Sequence, residues 1–83
     1  MIMRPHVNNN GDDRQALVDQ RKAAMGACDS LLAALDAMAP HGRNYITAPA
    51  DTYAADRDIH VTRLRQVDDL RQALLREALA LRD

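Results

Sequence analysis

The stretch ALVDQRKAAMGACDSLLAALDAMA, residues 16–39, places apolar side chains every three or four positions, and VTRLRQVDDLRQALLREALALR, residues 61–82, does so again. That spacing puts the apolar groups on one side of an α-helix in each stretch. Extended outward to their start and stop signals, the patterns cover residues 12–39 and 49–82, with a loop at 40–48. Two helices have few ways to bury an apolar side. The expected fold is all-α: an antiparallel two-helix hairpin, completed as a four-helix bundle by homodimerisation.

Composition points the same way. The chain has 83 residues, no Phe, no Trp and two Tyr, so it lacks the aromatic area that small cores usually bury. A chain of this length buries only roughly 60–65% of its unfolded surface, and association is the usual remedy at this size. Ala and Leu dominate the apolar fraction. Both are strong helix formers, while β-branched residues are few and scattered.

Eleven basic and twelve acidic residues nearly cancel. This argues against a nucleic-acid binder, which would show a basic excess on one side, and against a helix lying on an anionic membrane. Neither a signal-peptide run nor a membrane-spanning stretch is present. The expected compartment is the cytoplasm of a bacterium, or of the host cell for a viral protein. Cys28 is the single cysteine, which excludes an intrachain disulfide.

Residues 1–11, with Pro5, Asn8-Asn9-Asn10 and Gly11, show no periodicity and read as a disordered or loosely attached arm. Asp12-Asp13 supplies a helix cap and a negative first turn. In the first helix Leu17, Ala24, Leu31 and Met38 recur every seven residues. Val18, Met25, Leu32 and Ala39 form the adjoining row, and Cys28 and Leu35 fill the gap. Arg21 sits at a seam position and should reach out to the edge. Gly26 falls on the solvent side, where glycine weakens a helix by about 1 kcal/mol relative to alanine.

Pro40 and Gly42 end the first helix, with Gly42 suited to a left-handed turn. Pro49 and Asp51 suit the start of the second. There Tyr53, His60, Val67, Leu74 and Leu81 form one row, with Leu64, Leu70 and Ala78 beside it and Val61, Leu75 and Leu79 further round. This arc is wider than one partner helix can cover, which calls for a second contact surface. The expected core is Leu17, Leu31, Leu35, Leu64, Val67 and Leu74. The expected outer contact is Val61, Leu75, Leu79 and Arg71.

No residue cluster spells out a chemistry, so no catalytic residue, cofactor or metal is expected. Cys28 on the apolar stripe reads as a small hydrophobe rather than a nucleophile. His60 lies four residues after Asp56, within reach on a helix, but a metal needs more ligands than that pair supplies. Arg71 and its neighbour Asp68 read as a local ion pair. In the loop, Arg43, Asn44 and Tyr45 beside Gly42 form the densest polar cluster, fit to grip a partner. The plainer reading makes Tyr45 and Ile46 a plug across the helix ends, with Arg43 and Asn44 capping carbonyls.

The run His41-Gly42-Arg43-Asn44-Tyr45, then Pro49, then a helix rich in Ala, Arg and Asp with His60, resembles small phage and prophage proteins with a Gly-Arg-Asn/Asp-Tyr box between two helices. The resemblance covers about half the chain. It carries over no established activity and no site, only the context of a compact accessory protein that binds a host protein. Val67-Asp68-Asp69-Leu70-Arg71 is similar to the leading helix of the all-helical chorismate mutases. The lysine expected further along that helix and a third helix with its Gln or Glu are missing. The function expected is therefore a small non-enzymatic protein–protein interaction module. A nucleic-acid-associated helper and a chorismate-mutase-type enzyme are the alternatives.

Overall fold

Two long helices packed side by side, of 27 and 31 residues, make up most of the 83-residue chain. The computed structural model describes residues 1–5 and 11–82, with side chains of the first helix from residue 13 onward. His6, the run Asn8-Asn9-Asn10 and the Asp12 side-chain cap lie outside the described residues. Helix α1 spans Gly11–Ala37 and helix α2 spans Thr52–Arg82, with one turn of 3₁₀ helix at Gly42–Tyr45 between them. Among the described residues all regular structure is helical, with no strand, and α1 packs along α2 as the apolar periodicity predicts.

The helix ends differ from expectation by a few residues. At the C-terminus of α1 the backbone tightens: Met38 N–H donates to Leu35 O at 2.9 Å and Ala39 N–H to Asp36 O at 3.1 Å. The helix thus closes two residues ahead of Ala39, satisfying carbonyls that would otherwise be orphaned. Pro49 does not open α2. Its carbonyl accepts the Thr52 N–H at 3.1 Å in a turn before the helix starts. Gly42 does not take a left-handed conformation either; it begins the 3₁₀ turn with ordinary backbone angles.

The line of burial steps by three and four residues, with Leu17, Ala24, Ala73, Leu75 and Glu77 buried or half-buried beside it. On α1 the seam runs Val18, Arg21, Met25, Cys28, Leu32, Leu35, and on α2 it runs His60, Leu64, Val67, Arg71, Leu74, Ala78, Leu81; each of these is buried or half-buried. This 3.5-residue repeat is the signature of coiled-coil packing. Val18, Cys28, Ala78 and Leu81 are the most enclosed apolar residues. Of the expected core, Leu17, Leu35, Leu64, Val67 and Leu74 are half-buried. Leu31 is not in the core. It is 48% exposed, because the seam is centred on the Val18–Met25–Leu32 row and turns the Leu17–Ala24–Leu31–Met38 row aside.

Two ion pairs tie the helices together. Arg21 Nε lies 3.1 Å from Glu77 Oε1, with the two side chains only 11% and 6% exposed. Arg21 thus stays inside the seam instead of reaching the edge. Glu77 also accepts the Met3 backbone N–H at 3.0 Å, which lays the first residues of the chain across both helices. Further along, Arg71 Nε lies 2.8 Å from Asp29 Oδ1, so Arg71 bridges to α1 and the expected Asp68–Arg71 pair does not form. The second pair is largely solvated and adds little stability, on the order of 0.5 kcal/mol.

Together these ties fix an antiparallel register. Each step up α1 is a step down α2, so Val18 comes level with Leu81, Cys28 with Arg71, and Leu35 with Leu64. The molecule measures 62 × 20 × 12 Å, one layer of two helices. Its radius of gyration is 18.3 Å, against about 12 Å for a compact domain of this length. Gly26 is exposed with open space around it, so nothing offsets its cost to the helix.

The Arg21–Glu77 pair gives the first test. Arg21→Leu strands a carboxylate in the seam and should lower unfolding stability by about 3 kcal/mol. Adding Glu77→Leu should restore most of that loss, since two leucines fill the seam without a buried charge. Urea unfolding at fixed protein concentration reads both variants. Equal stability of the single and double variants would show that the pair carries no buried-charge cost.

Candidate functional site

A single-layer hairpin presents two broad sides, and they differ in chemistry. The first side is built from the α1 row Leu17, Ala24, Leu31, Met38 with Gln20, Ala27 and Ala34 beside it. None of these side chains carries a charge. On α2 it continues through Ile59, Arg63, Gln66, Leu70, Ala73 and Ala80. Leu31, Met38, Ile59 and Leu70 are 48%, 64%, 49% and 55% exposed. A shallow groove joins Leu17 and Ala24 to Leu70 and Ala73 across the seam, with Met1–Met3 at its outer end. A second hollow joins Met38 to Asp56, Ile59 and Arg63 near the loop.

The opposite side carries Asp19, Lys22, Asp29 and Asp36 from α1, and Asp58, Arg65, Asp68 and Arg82 from α2. Val61 and Leu79 stand among these charges at 45% and 49% exposure, and Leu75 is half-buried. The expected outer contact therefore divides. Val61 and Leu79 are open to solvent on the charged side, Leu75 partly closes the seam, and Arg71 is occupied by Asp29.

At the loop end, Tyr45 holds the connection in place. Its hydroxyl donates to Asp56 Oδ2 at 2.6 Å, and its ring meets that of Tyr53 at 5.4 Å between centroids with a 57° tilt. Asp56 is thus engaged by Tyr45 rather than by His60, and His60 is half-buried at the end of the seam. Hydrogen bonding to the Asp56 carboxylate raises the Tyr45 phenol above its ordinary value of 10.0, with desolvation adding to the effect. The charge of the neighbouring carboxylate also opposes a tyrosinate.

Ile46 is 80% exposed and plugs nothing. Tyr45 alone does the anchoring. Arg43 and Asn44 are exposed, and the turn around them is held by backbone: Asn44 N–H donates to His41 O, and Ala48 N–H to Tyr45 O, each at 3.0 Å. The last carbonyls of α1 are met by its own tightened turn, so these two side chains stand at the tip of the hairpin instead of capping it. Cys28 is buried in the seam. Among the described residues, no three His, Cys, Asp or Glu side chains lie together as a metal would require, and no helix is long and apolar enough to cross a membrane.

Glu77 is the residue that sequence reasoning passed over. One signal was available: it is the lone glutamate among eleven aspartates, and its extra methylene lets the carboxylate reach across the seam to Arg21. The Tyr45–Asp56 bond had no such signal, because it joins a loop to a helix through a turn whose path the spacing does not reveal. Comparison of the chain with family models, with curated proteins and with solved structures finds no match.

The Tyr45–Asp56 bond predicts an alkaline effect. A proton held more tightly in the folded state than in the unfolded one stabilises the fold fully below pH 10. That contribution fades as pH rises through the raised folded-state value. Tyrosinate absorbance should therefore show one phenol titrating above the ordinary range, and Asp56→Asn should remove that late component. Two phenols titrating normally in the unaltered protein would show the bond absent in solution.

Proposed function

We propose that this chain is a non-enzymatic protein–protein interaction module that completes its own core as a homodimer and then binds another protein. The observation that carries this reading is the charge-free apolar side of α1, with Leu31 and Met38 beside exposed Ile59 and Leu70 of α2. Monomers rarely leave so large a contiguous apolar patch in water. The near balance of acidic and basic residues supports a protein surface as the target over a polyanion.

The hairpin tip suits the second contact. Arg43 and Asn44 offer a guanidinium and an amide on a turn anchored from behind by Tyr45, so binding need not order the backbone. The likeness of the Gly42–Tyr45 box to small phage and prophage proteins supports a host protein as that partner, met in the cytoplasm.

Sedimentation equilibrium at micromolar concentration tests the first half. The expected mass is at least twice the 9.2 kDa of one chain. A monomer that still melts cooperatively would overturn the dimer. For the second half, Arg43→Ala with Asn44→Ala should leave helicity and mass unchanged while capture of the partner from a host lysate is lost. Lowered melting with capture retained would make the two residues structural and remove the tip from the binding surface.

A further inference from the structure

We infer that the apolar side of the hairpin, which carries Leu31, Met38 and Leu70, is the dimer interface, and that a second copy of this chain packs on it with its loop at the opposite end. The inference rests on the homodimer reading above and names its surface and arrangement. Area is the first argument. The chain exposes 6408 Å², against roughly 4,900 Å² for a folded monomer of its mass. The surplus of about 1,500 Å², shared between the exposed first residues such as Met1 and Met3 and the open sides of the hairpin, exceeds the ~800 Å² per partner of a standard interface. Covering the apolar side desolvates fewer charges: the α1 row Leu17, Ala24, Leu31, Met38 has none and α2 adds Arg63, whereas Lys22, Asp29 and Asp36 of α1 line the other side with Asp58, Arg65 and Asp68 of α2.

Shape selects a copy of this chain as the occupant. A twofold interface must be complementary to itself, and this row matches a large residue to a small one at its midpoint, Leu31 with Ala24. A twofold axis crossing the helices between Ala24 and Leu31 sets each Leu31 over the small Ala24 of the partner subunit, and Leu17 over Met38 of the partner subunit. The register fixed by Arg21–Glu77 and Asp29–Arg71 carries the same axis to α2 between Leu70 and Ala73. There it sets Leu70 over Ala73 of the partner subunit. The α2 match is independent of the choice made on α1. The small side chains also allow the close axial approach of a four-helix bundle, and the seven-residue recurrence gives its shallow crossing angle.

Two aspartates placed in this interface, Leu31→Asp with Leu70→Asp, should convert the dimer to a monomer in sedimentation, with most helicity kept. Val61→Asp with Leu79→Asp, both exposed on the charged side, should leave the dimer intact. If the second variant dissociates and the first does not, dimerisation stands but this interface is overturned. A monomeric unaltered protein overturns both the interface and the homodimer reading. Should the first variant lose its helicity, Ala27→Cys decides the matter. Position 27 lies beside the proposed axis, so mild oxidation should link two chains through it, while the unaltered protein, whose Cys28 is buried, should not be linked. A dimer that resists linkage at Ala27→Cys overturns the arrangement with loops at opposite ends.

Discussion

Two helices share one line of contact, and that constraint governs every other feature of this chain. A seam of side chains alternating by three and four can be enclosed only where the helices face each other. Everything off that line has water on at least one side. The consequence shows in the short roster of enclosed residues, where Val18, Cys28, Ala78 and Leu81 stand beside the charged Glu77. A third or fourth helix would bury the neighbouring rows, and the described residues form two long helices. The unfilled side of the hairpin follows directly from the number of helices.

The Arg21–Glu77 pair is an unexpected way to spend seam positions. Ion pairs with little exposure often stabilise no more than apolar residues of similar size. Their geometry, however, is demanding, and a misaligned pair leaves a charge without its partner. A seam of Ala, Leu and Val tolerates sliding by a heptad far more easily, because each apolar layer resembles the next. With Arg21 facing Glu77 near the open end and Asp29 facing Arg71 near the middle, a slipped register would separate both pairs at once. The polar residues thus specify alignment, while the apolar ones supply most of the attraction. Met3, donating its backbone N–H to Glu77, places the start of the chain by the same charge.

How much of this was legible beforehand depended on the range of the interaction. Helix identity and hairpin topology were plain, since periodicity is local and Pro40 and Gly42 interrupt it where the chain turns. Helix phase was harder. Rows such as Leu17–Ala24–Leu31 and Val18–Met25–Leu32 look equally apolar along one helix. Which of them faces inward is settled by α2, so Leu31 could not be told from a core residue. The wide apolar arc on α2 was visible, but its division between seam and open surface was not. Cross-helix ties were invisible for a related reason. Nearby residues offered each charged group a local partner, Asp68 for Arg71 and His60 for Asp56, and the actual partners lie 42 and 11 residues away.

The same comparison separates the two ends of the hairpin. At the open end, charge and chain start are drawn into the seam, and little is left over for recognition. At the loop end, Tyr45 takes on the structural duty through Asp56 and Tyr53, while backbone hydrogen bonds close the turn. That division leaves the Arg43 and Asn44 side chains exposed at the tip. A side chain exposed in this way can be selected for what it touches outside the molecule. In a chain this small, one tyrosine and a few backbone hydrogen bonds suffice to close the hairpin.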